Sequence, residues 1–122
     1  MAKVLIVEDE LPLRMAYDTI LKREGHIVDR AKDGQEALEK VDKLNPDLIL
    51  LDLLMPNVDG IEFLKKYDLK KHPKVKVVVF SNLSHSEQIQ EAEALGAKKY
   101  VVKSSVTPSQ LSNLIHEVLS DK

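Results

Sequence analysis

Short apolar runs alternate with amphipathic stretches along the whole chain of 122 residues. Five of these runs are strand candidates, and the first, third and fourth are rich in Val, Ile and Leu, as expected of strands in a parallel sheet that is covered on both faces. The five runs span residues 3–7, 27–31, 48–51, 75–80 and 99–102. The run at 48–51 is uninterrupted and is followed at once by Asp52 and then by turn residues. This pattern predicts a buried strand with a carboxylate at its carboxyl end, exposed at a solvent-facing rim of the sheet.

A helix signal follows each predicted strand. Pro12 suits the first turn of the first helix, and Gly25 suits its C-terminal stop. The last helix begins at Thr107-Pro108. Capping pairs open the second, third and fourth helices: Asp33 with Glu36, Asp59 with Glu62, and Ser84 with Glu87. In chain order, the apolar stripes contain Leu13, Tyr17, Ile20 and Leu21; Ala37, Leu38, Val41 and Leu44; Ile61 and Leu64; Ile89, Ala92 and Leu95; and Leu111, Leu114, Ile115, Val118 and Leu119.

Five strand–helix units in succession predict one α/β domain over residues 1–122, with a parallel sheet and helices on both faces. The first, third and fourth strands have the longest apolar runs and are expected at the centre of the sheet. The second and fifth are then edge strands. The pattern therefore predicts a flavodoxin-like (βα)5 domain with strand order 2-1-3-4-5.

Composition narrows the range of functions. The net charge is −2 with both signs interspersed, so we expect no direct binding to nucleic acid. The sequence contains no cysteine, which excludes disulfides and a thiol nucleophile. The apolar run at the N-terminus is too short for a membrane span, and we expect a cytoplasmic protein without membrane contact. The four histidines are scattered, without metal-ligand spacing, and are interpreted as surface or packing residues.

Chemically useful side chains stand at the carboxyl ends of the predicted strands: Glu8, Asp9, Asp52, Ser81 and Lys103. Taken singly, each has an ordinary explanation as a capping acid, a turn serine or a surface lysine. Together they are expected to meet at one edge of the sheet, where parallel α/β proteins bind ligands. Crowded carboxylates attract Mg²⁺, and lysine and serine are suitable partners for phosphoryl oxygens. The set predicts Mg²⁺-dependent phosphoryl transfer onto an aspartate of the protein itself.

Five motifs, VLIVEDE at 4–10, LLDLLMPNVDG at 50–60, FSN at 80–82, LGA at 95–97 and YVVK at 100–103, make the chain resemble response-regulator receiver domains of two-component signalling. The resemblance covers essentially the whole chain. It implies that Asp52 accepts the phosphoryl group from a sensor histidine kinase or a histidine phosphotransfer protein. It also implies that Glu8, Asp9, Asp52 and the backbone carbonyl of Leu54 bind Mg²⁺.

The same resemblance implies roles for three further residues. Lys103 neutralises the phosphoryl group, Ser81 supplies the hydroxyl that moves toward it, and Tyr100 is the aromatic residue that turns inward in response. Two of the three departures from the common pattern are Ser104, which replaces the usual proline after the lysine, and Asn82, which replaces a frequent alanine. Without the proline, we expect a trans Lys103–Ser104 peptide and a looser or differently routed loop after it.

Two further features of the sequence concern the geometry of the metal site and the lifetime of the phosphorylated form. Glu8 stands where an aspartate is commoner, which lengthens one arm of the metal site. Leu54 and Leu83 occupy the positions that flank the approach of water to the phosphorus in this family. Because neither side chain can orient a water, the sequence predicts slow self-dephosphorylation.

Three functions remain open from the sequence. The chain is a receiver acting alone, with a downstream protein as its target, or a receiver belonging to a longer regulator with an effector domain, or a phosphorylation-independent interaction module. In each case it is a signalling protein rather than an enzyme, apart from its own phosphoryl transfer and dephosphorylation. We expect a monomer before phosphorylation. The acidic fourth helix and the basic fifth strand have the opposite polarity to the salt-bridged dimers of DNA-binding relatives.

Overall fold

The computed structural model describes residues 2–53, 59–81 and 87–120. Its strands are β1 (Lys3–Val7), β2 (Ile27–Ala31), β3 (Leu48–Leu51), β4 (Lys76–Ser81) and β5 (Lys99–Val102). Its helices are α1 (Leu11–Arg23), α2 (Gly34–Leu44), α3 (Gly60–Tyr67), α4 (Glu87–Ala94) and α5 (Pro108–Ser120). Single 3₁₀ turns lie at Leu69–Lys71 and Lys103–Ser105. The predicted elements are thus confirmed, with β4 shifted by one residue, so that Ser81 is the last residue of the strand rather than the first after it.

All five strands are parallel and are arranged in the order β2-β1-β3-β4-β5. Val7 of β1 pairs with both Ala31 and Leu51, and Leu51 pairs with Val79. The carboxyl ends of the strands therefore lie at one edge of the sheet. The predicted flavodoxin-like order and the two edge strands are confirmed.

The strict alternation of side chains along the central strands divides the core into two clusters, one on each face of the sheet. Leu5, Val7, Ile49 and Leu51 face α2, α3 and α4, in a cluster that includes Phe63 and Tyr67. On the other face, α1 and α5 cover a cluster of apolar side chains: Val4, Ile6, Leu48, Leu50, Val78, Phe80, Tyr17, Leu21, Leu111 and Ile115. Central strands buried on both faces explain why their sequence is continuously apolar rather than alternating.

The helix starts follow the capping pattern of the sequence. Asp33 accepts a hydrogen bond from the backbone N–H of Glu36 at 2.8 Å, and Asp59 accepts one from Glu62 at 2.9 Å. Gly25 ends α1 with a φ of 94°, a conformation that favours glycine. The predicted cap at Ser84 lies outside the described residues. No helix of the described ranges is both long and apolar enough to span a bilayer.

Candidate functional site

Backbone hydrogen bonds continue one residue beyond β1 and β3 and hold the first acids of the site. The N–H of Glu8 donates to the carbonyl of Ala31 at 3.0 Å, and the N–H of Asp52 donates to the carbonyl of Val7 at 3.0 Å. The backbones of Glu8 and Asp52 are therefore part of the rigid sheet. Their side chains begin at adjacent points of its carboxyl edge, as the topology predicts.

Lys103 joins these two acids. Its Nζ lies 2.7 Å from Oε1 of Glu8 and 3.1 Å from Oδ2 of Asp52, and it also lies 3.6 Å from Oε1 of Glu10. Only 7% of the Lys103 side chain is exposed, and its ammonium lies 5.4 Å from the centre of the Phe80 ring. A single buried cation thus compensates the carboxylates of Glu8 and Asp52.

Burial shifts the protonation of this cluster. It raises the pKa of Glu8 to about 7, an effect that the nearby charge of Asp52 strengthens and that hydrogen bonds from Lys103 and from the N–H of Glu10 oppose. Burial by itself lowers the pKa of Lys103, but the contacts with Glu8 and Asp52 outweigh it, and the net pKa is raised. Lys103 therefore remains charged at neutral pH.

A second group of oxygens lies beside this cluster. Carboxylate oxygens of Glu8, Asp9 and Glu10 all lie within 4.8 Å of one another, and the latter two residues are exposed. Hard oxygen ligands that are partly open to water are the donor set that Mg²⁺ prefers. The residues present therefore fit a magnesium ion, with Glu8 shared between the ion and Lys103.

The structure corrects one expectation about Asp52. The sequence predicts an acid exposed at a solvent-facing rim, but Asp52 is only 2% exposed. The ammonium of Lys103, which is 51 residues away in sequence, lies against this carboxylate at 3.1 Å and contributes to its burial. Within the described residues, Lys103 connects Asp52 to the group formed by Glu8, Asp9 and Glu10, because its ammonium contacts Asp52, Glu8 and Glu10. The remaining predicted metal ligand, Leu54, lies outside the described residues.

Gly60 sets the path of the chain after Asp52. A Cβ atom at this position would come within 2.6 Å of the Asp52 carbonyl oxygen and 2.8 Å of the Leu53 Cα. The N–H of Gly60 also donates to the Leu53 carbonyl at 3.2 Å. The start of α3 therefore packs directly against the backbone of the phosphoacceptor candidate, which only glycine permits.

Ser81 and Tyr100 are in contact. Ser81 is 1% exposed at the end of β4, and the hydroxyl of the half-buried Tyr100 donates to its carbonyl at 3.4 Å. Displacement of Ser81 would therefore affect Tyr100 directly. Asn82, and Leu54 and Leu83, the two residues predicted to flank the approach of water, lie outside the described residues.

The Lys103–Ser104 peptide is trans, as predicted, and the described ranges contain no cis peptide bond. Lys103 begins a 3₁₀ turn, and the hydroxyl of Ser105 donates to the carbonyl of Val102 at 2.9 Å. The chain after the lysine is thus held by local hydrogen bonds without the usual proline.

Sequence reasoning misses two residues of the site, Glu10 and Arg14. Glu10 contacts Lys103, and Nη1 of Arg14 donates to the backbone carbonyl of Glu8 at 2.7 Å. The signals are the third consecutive acid in the EDE triplet and an arginine four residues after it, which places the arginine on the first turns of α1. The hydrophobic pattern assigns both residues only to the start of a helix.

Comparison with known proteins identifies the family. The model of the response regulator receiver domain matches residues 4–116. The chain is 33% identical over 117 residues to the chemotaxis protein CheY of Thermotoga maritima, covering 95% of this chain and 96% of that protein. It is 40% identical over 120 residues to a protein-glutamate methylesterase/protein-glutamine glutaminase of Archaeoglobus fulgidus, but these residues make up only 34% of that protein.

A solved structure is similar over nearly its full length. The response regulator TrrA of Thermotoga maritima, in complex with Mg²⁺ and BeF, has a TM-score of 0.82 and 32% identity, over 97% of this chain and 99% of that one. Receiver domains are signalling modules of two-component systems and bind Mg²⁺ at an acidic pocket. The chain belongs to the response regulator receiver family.

Proposed function

We propose that this chain accepts a phosphoryl group on Asp52 from the phosphohistidine of a sensor kinase or phosphotransfer protein, and that the phosphorylated form binds a downstream protein. The observation that carries the proposal is the contact of the Lys103 ammonium with Asp52 at 3.1 Å and with Glu8 at 2.7 Å. This arrangement places a buried cation beside the one acid that ends the central strand.

In the proposed reaction, a carboxylate oxygen of Asp52 attacks the phosphorus. The bond from phosphorus to the donor nitrogen breaks, the nitrogen keeps the electron pair, and the product is an acyl phosphate. Lys103 donates to a phosphoryl oxygen, which offsets its negative charge. The hydroxyl of Ser81 is the second donor.

Glu8, Asp9 and Asp52 are the side chains that would hold Mg²⁺, together with the carbonyl of Leu54. The bound ion supplies further neutralisation of the phosphoryl oxygens. Glu10 is close enough to this group to add negative charge at its exposed side. A movement of Ser81 on phosphorylation would be transmitted to Tyr100, because the Tyr100 hydroxyl donates a hydrogen bond to the Ser81 carbonyl.

We propose that residues 1–122 form one receiver domain acting in the cytoplasm, monomeric before phosphorylation. A second candidate is a receiver within a longer regulator, which the partial coverage of the methylesterase supports. Both share the chemistry at Asp52. An interaction module that needs no phosphorylation is the outcome if that chemistry fails.

The test is incubation with Mg²⁺ and acetyl phosphate, followed by intact-mass measurement. We expect a single phosphate adduct on the wild type and none on Asp52→Asn. Asp47→Asn is the matched control, because Asp47 lies just before β3, at the opposite end of the strand. An undiminished adduct on Asp52→Asn would place the nucleophile elsewhere, and a wild type without adduct would favour the phosphorylation-independent module.

A further inference from the structure

Arg14 holds the turn that carries the acidic triplet. Its Nη1 donates to the carbonyl of Glu8 at 2.7 Å, from the second turn of α1 back to the end of β1. Its backbone N–H donates to the carbonyl of Glu10 at 3.0 Å, which any residue at this position of the helix could do. The turn is closed by the N–H of Glu10, which donates to Oε2 of Glu8 at 3.0 Å. The contact specific to arginine is therefore the one to the Glu8 carbonyl.

This contact has an electrostatic cost. The guanidinium brings a permanent positive charge to the backbone of Glu8. The same short segment carries the carboxylates of Glu8, Asp9 and Glu10, whose oxygens lie within 4.8 Å of one another. A positive charge near a cation site weakens cation binding by simple Coulomb repulsion. Lys103 already supplies one such charge. The charge of Arg14 is therefore expected to weaken Mg²⁺ binding, whereas its hydrogen bond to the Glu8 carbonyl is expected to strengthen it.

We expect position to be the stronger effect, for a geometric reason. Asp9 and Glu10 are exposed and stand outside the sheet, so their backbone is not ordered by the β1 ladder. Without a fixed turn, an ion would have to order both residues at the moment of binding and bear that conformational entropy. The bond from Arg14 to the Glu8 carbonyl orders this segment before any ion binds.

We infer that Arg14 is a positioning residue for the Mg²⁺ site: its hydrogen bond to the Glu8 carbonyl holds Glu8, Asp9 and Glu10 in their converging arrangement. This inference rests on the proposed function, since it assumes that the site binds Mg²⁺. Arg14 itself does not contact the ion or the phosphoryl group. It acts through the backbone of its neighbours.

The test is calorimetric titration of the unphosphorylated protein with MgCl₂. We expect Arg14→Met to weaken Mg²⁺ binding about tenfold, the usual scale for residues that orient ligands. Arg14→Lys should bind Mg²⁺ with an affinity between those of the wild type and Arg14→Met, because the lysine ammonium still offers donors to the Glu8 carbonyl but on a shorter side chain. Arg23→Met is the matched control: it removes an arginine from the last turn of the same helix, about 14 Å along its axis, and should bind Mg²⁺ as the wild type does.

A second measurement needs no metal. Hydrogen exchange at the Glu10 amide, followed by NMR without Mg²⁺, should be faster in Arg14→Met than in the wild type and in Arg23→Met. If Arg14→Met does not fold, as judged by circular dichroism, the same two comparisons are made with Arg14→Lys, where weaker binding and faster exchange are expected to a smaller extent.

Two results would overturn the inference in different ways. Equal Mg²⁺ binding by Arg14→Met, or unchanged exchange at Glu10, would show that Arg14 does not position the site, and tighter binding would show that it acts as an adverse charge. Either outcome would leave the proposed function intact. A wild type that binds no Mg²⁺ would refute the proposed magnesium site, and the role of Arg14 with it.

Discussion

At the scale of single residues, Lys103 is the counterion on which the metal-free site depends. Its ammonium contacts Glu8 and Asp52, which are 0% and 2% exposed, and no other described cation is within ion-pair distance of their carboxylates. Removing one partner of a buried ionic cluster leaves uncompensated charge, which costs more than an exposed ion pair contributes.

We therefore expect Lys103→Met to lower the free energy of unfolding by about 3 kcal/mol in the presence of a chelator at pH 8. Added Mg²⁺ should restore part of the loss, because it replaces the missing positive charge. Urea denaturation measures both effects, with the exposed Lys98→Met as control. A variant as stable as the wild type without Mg²⁺ would show that the two acids are neutral or hydrated.

His26 is another buried residue that can bind a proton. Its Nδ1 accepts a hydrogen bond from the N–H of Ala2 at 3.2 Å, and its ring centre lies 5.0 Å from that of His116. Burial lowers the pKa of His26 below 6.5, the neighbouring His116 adds to this, and Glu24 opposes it. The sequence predicts a surface or packing residue here, and the structure supports packing.

The lowered pKa predicts a loss of stability in acid. As the pH falls through about 6.5, the unfolded chain binds the proton before the folded one does, so the stability present at higher pH is lost. Glu8, with its raised pKa, changes stability in the opposite direction between pH 7 and its ordinary pKa of 4.5. The difference between wild type and His26→Gln thus isolates the contribution of His26.

We expect this difference to shrink or reverse in favour of His26→Gln as the pH falls from about 7 to about 5. NMR titration of the His26 ring should give a pKa below 6.5, which rises toward that value in His116→Gln. A measured pKa at or above 6.5 in the wild type would contradict the prediction.

At the scale of elements, the start of α3 packs tightly against the backbone that follows β3. A methyl group at residue 60 would require the Asp52 carbonyl or the helix to move, because backbone atoms lie within 3 Å of its position. Overpacking of this kind commonly costs about 1–3 kcal/mol.

Gly60→Ala should therefore lower stability and also slow phosphorylation, because the shift falls on Asp52. Gly25→Ala is the informative comparison: its φ of 94° strains alanine, but nothing lies within 4 Å of the added Cβ, and Gly25 is remote from the acids. Both variants should unfold at lower urea concentration, while only Gly60→Ala should change the rate of adduct formation. Normal phosphorylation of Gly60→Ala would mean that the helix, rather than the Asp52 backbone, gives way.

At the scale of the whole molecule, metal binding should appear as stability of the entire fold. A ligand that binds only the native state adds about 2.7 kcal/mol at 100 times its dissociation constant. Asp9 is suited to test this linkage, because it is an exposed member of the oxygen cluster.

We expect Mg²⁺ to raise the unfolding midpoint of the wild type but to have little effect on Asp9→Asn. Without Mg²⁺, the two proteins should unfold at similar urea concentrations. For each protein, the unfolding midpoint measured with a chelator is the baseline. Equal stabilisation of the wild type and Asp9→Asn by Mg²⁺ would show that the ion binds elsewhere.

The amino-acid sequence by itself determined the five strands, their order and the edge at which the site lies. Uninterrupted apolar runs mark strands buried on both faces, and short βα connections allow few parallel topologies. Because the carboxyl ends of such strands share one edge, the positions of Glu8, Asp52, Ser81 and Lys103 in the chain are enough to assign them to that edge of the sheet.

Only the tertiary structure decided how these residues are arranged. The burial of Asp52, the bridge from Lys103 to two acids and the bond from Arg14 to the Glu8 carbonyl depend on side-chain directions and on loops that are distant in sequence. Periodicity reports which face a residue occupies, but it contains no information on which partner a long side chain reaches. For the same reason, the packing of His26 against His116, 90 residues away, leaves no pattern in the sequence.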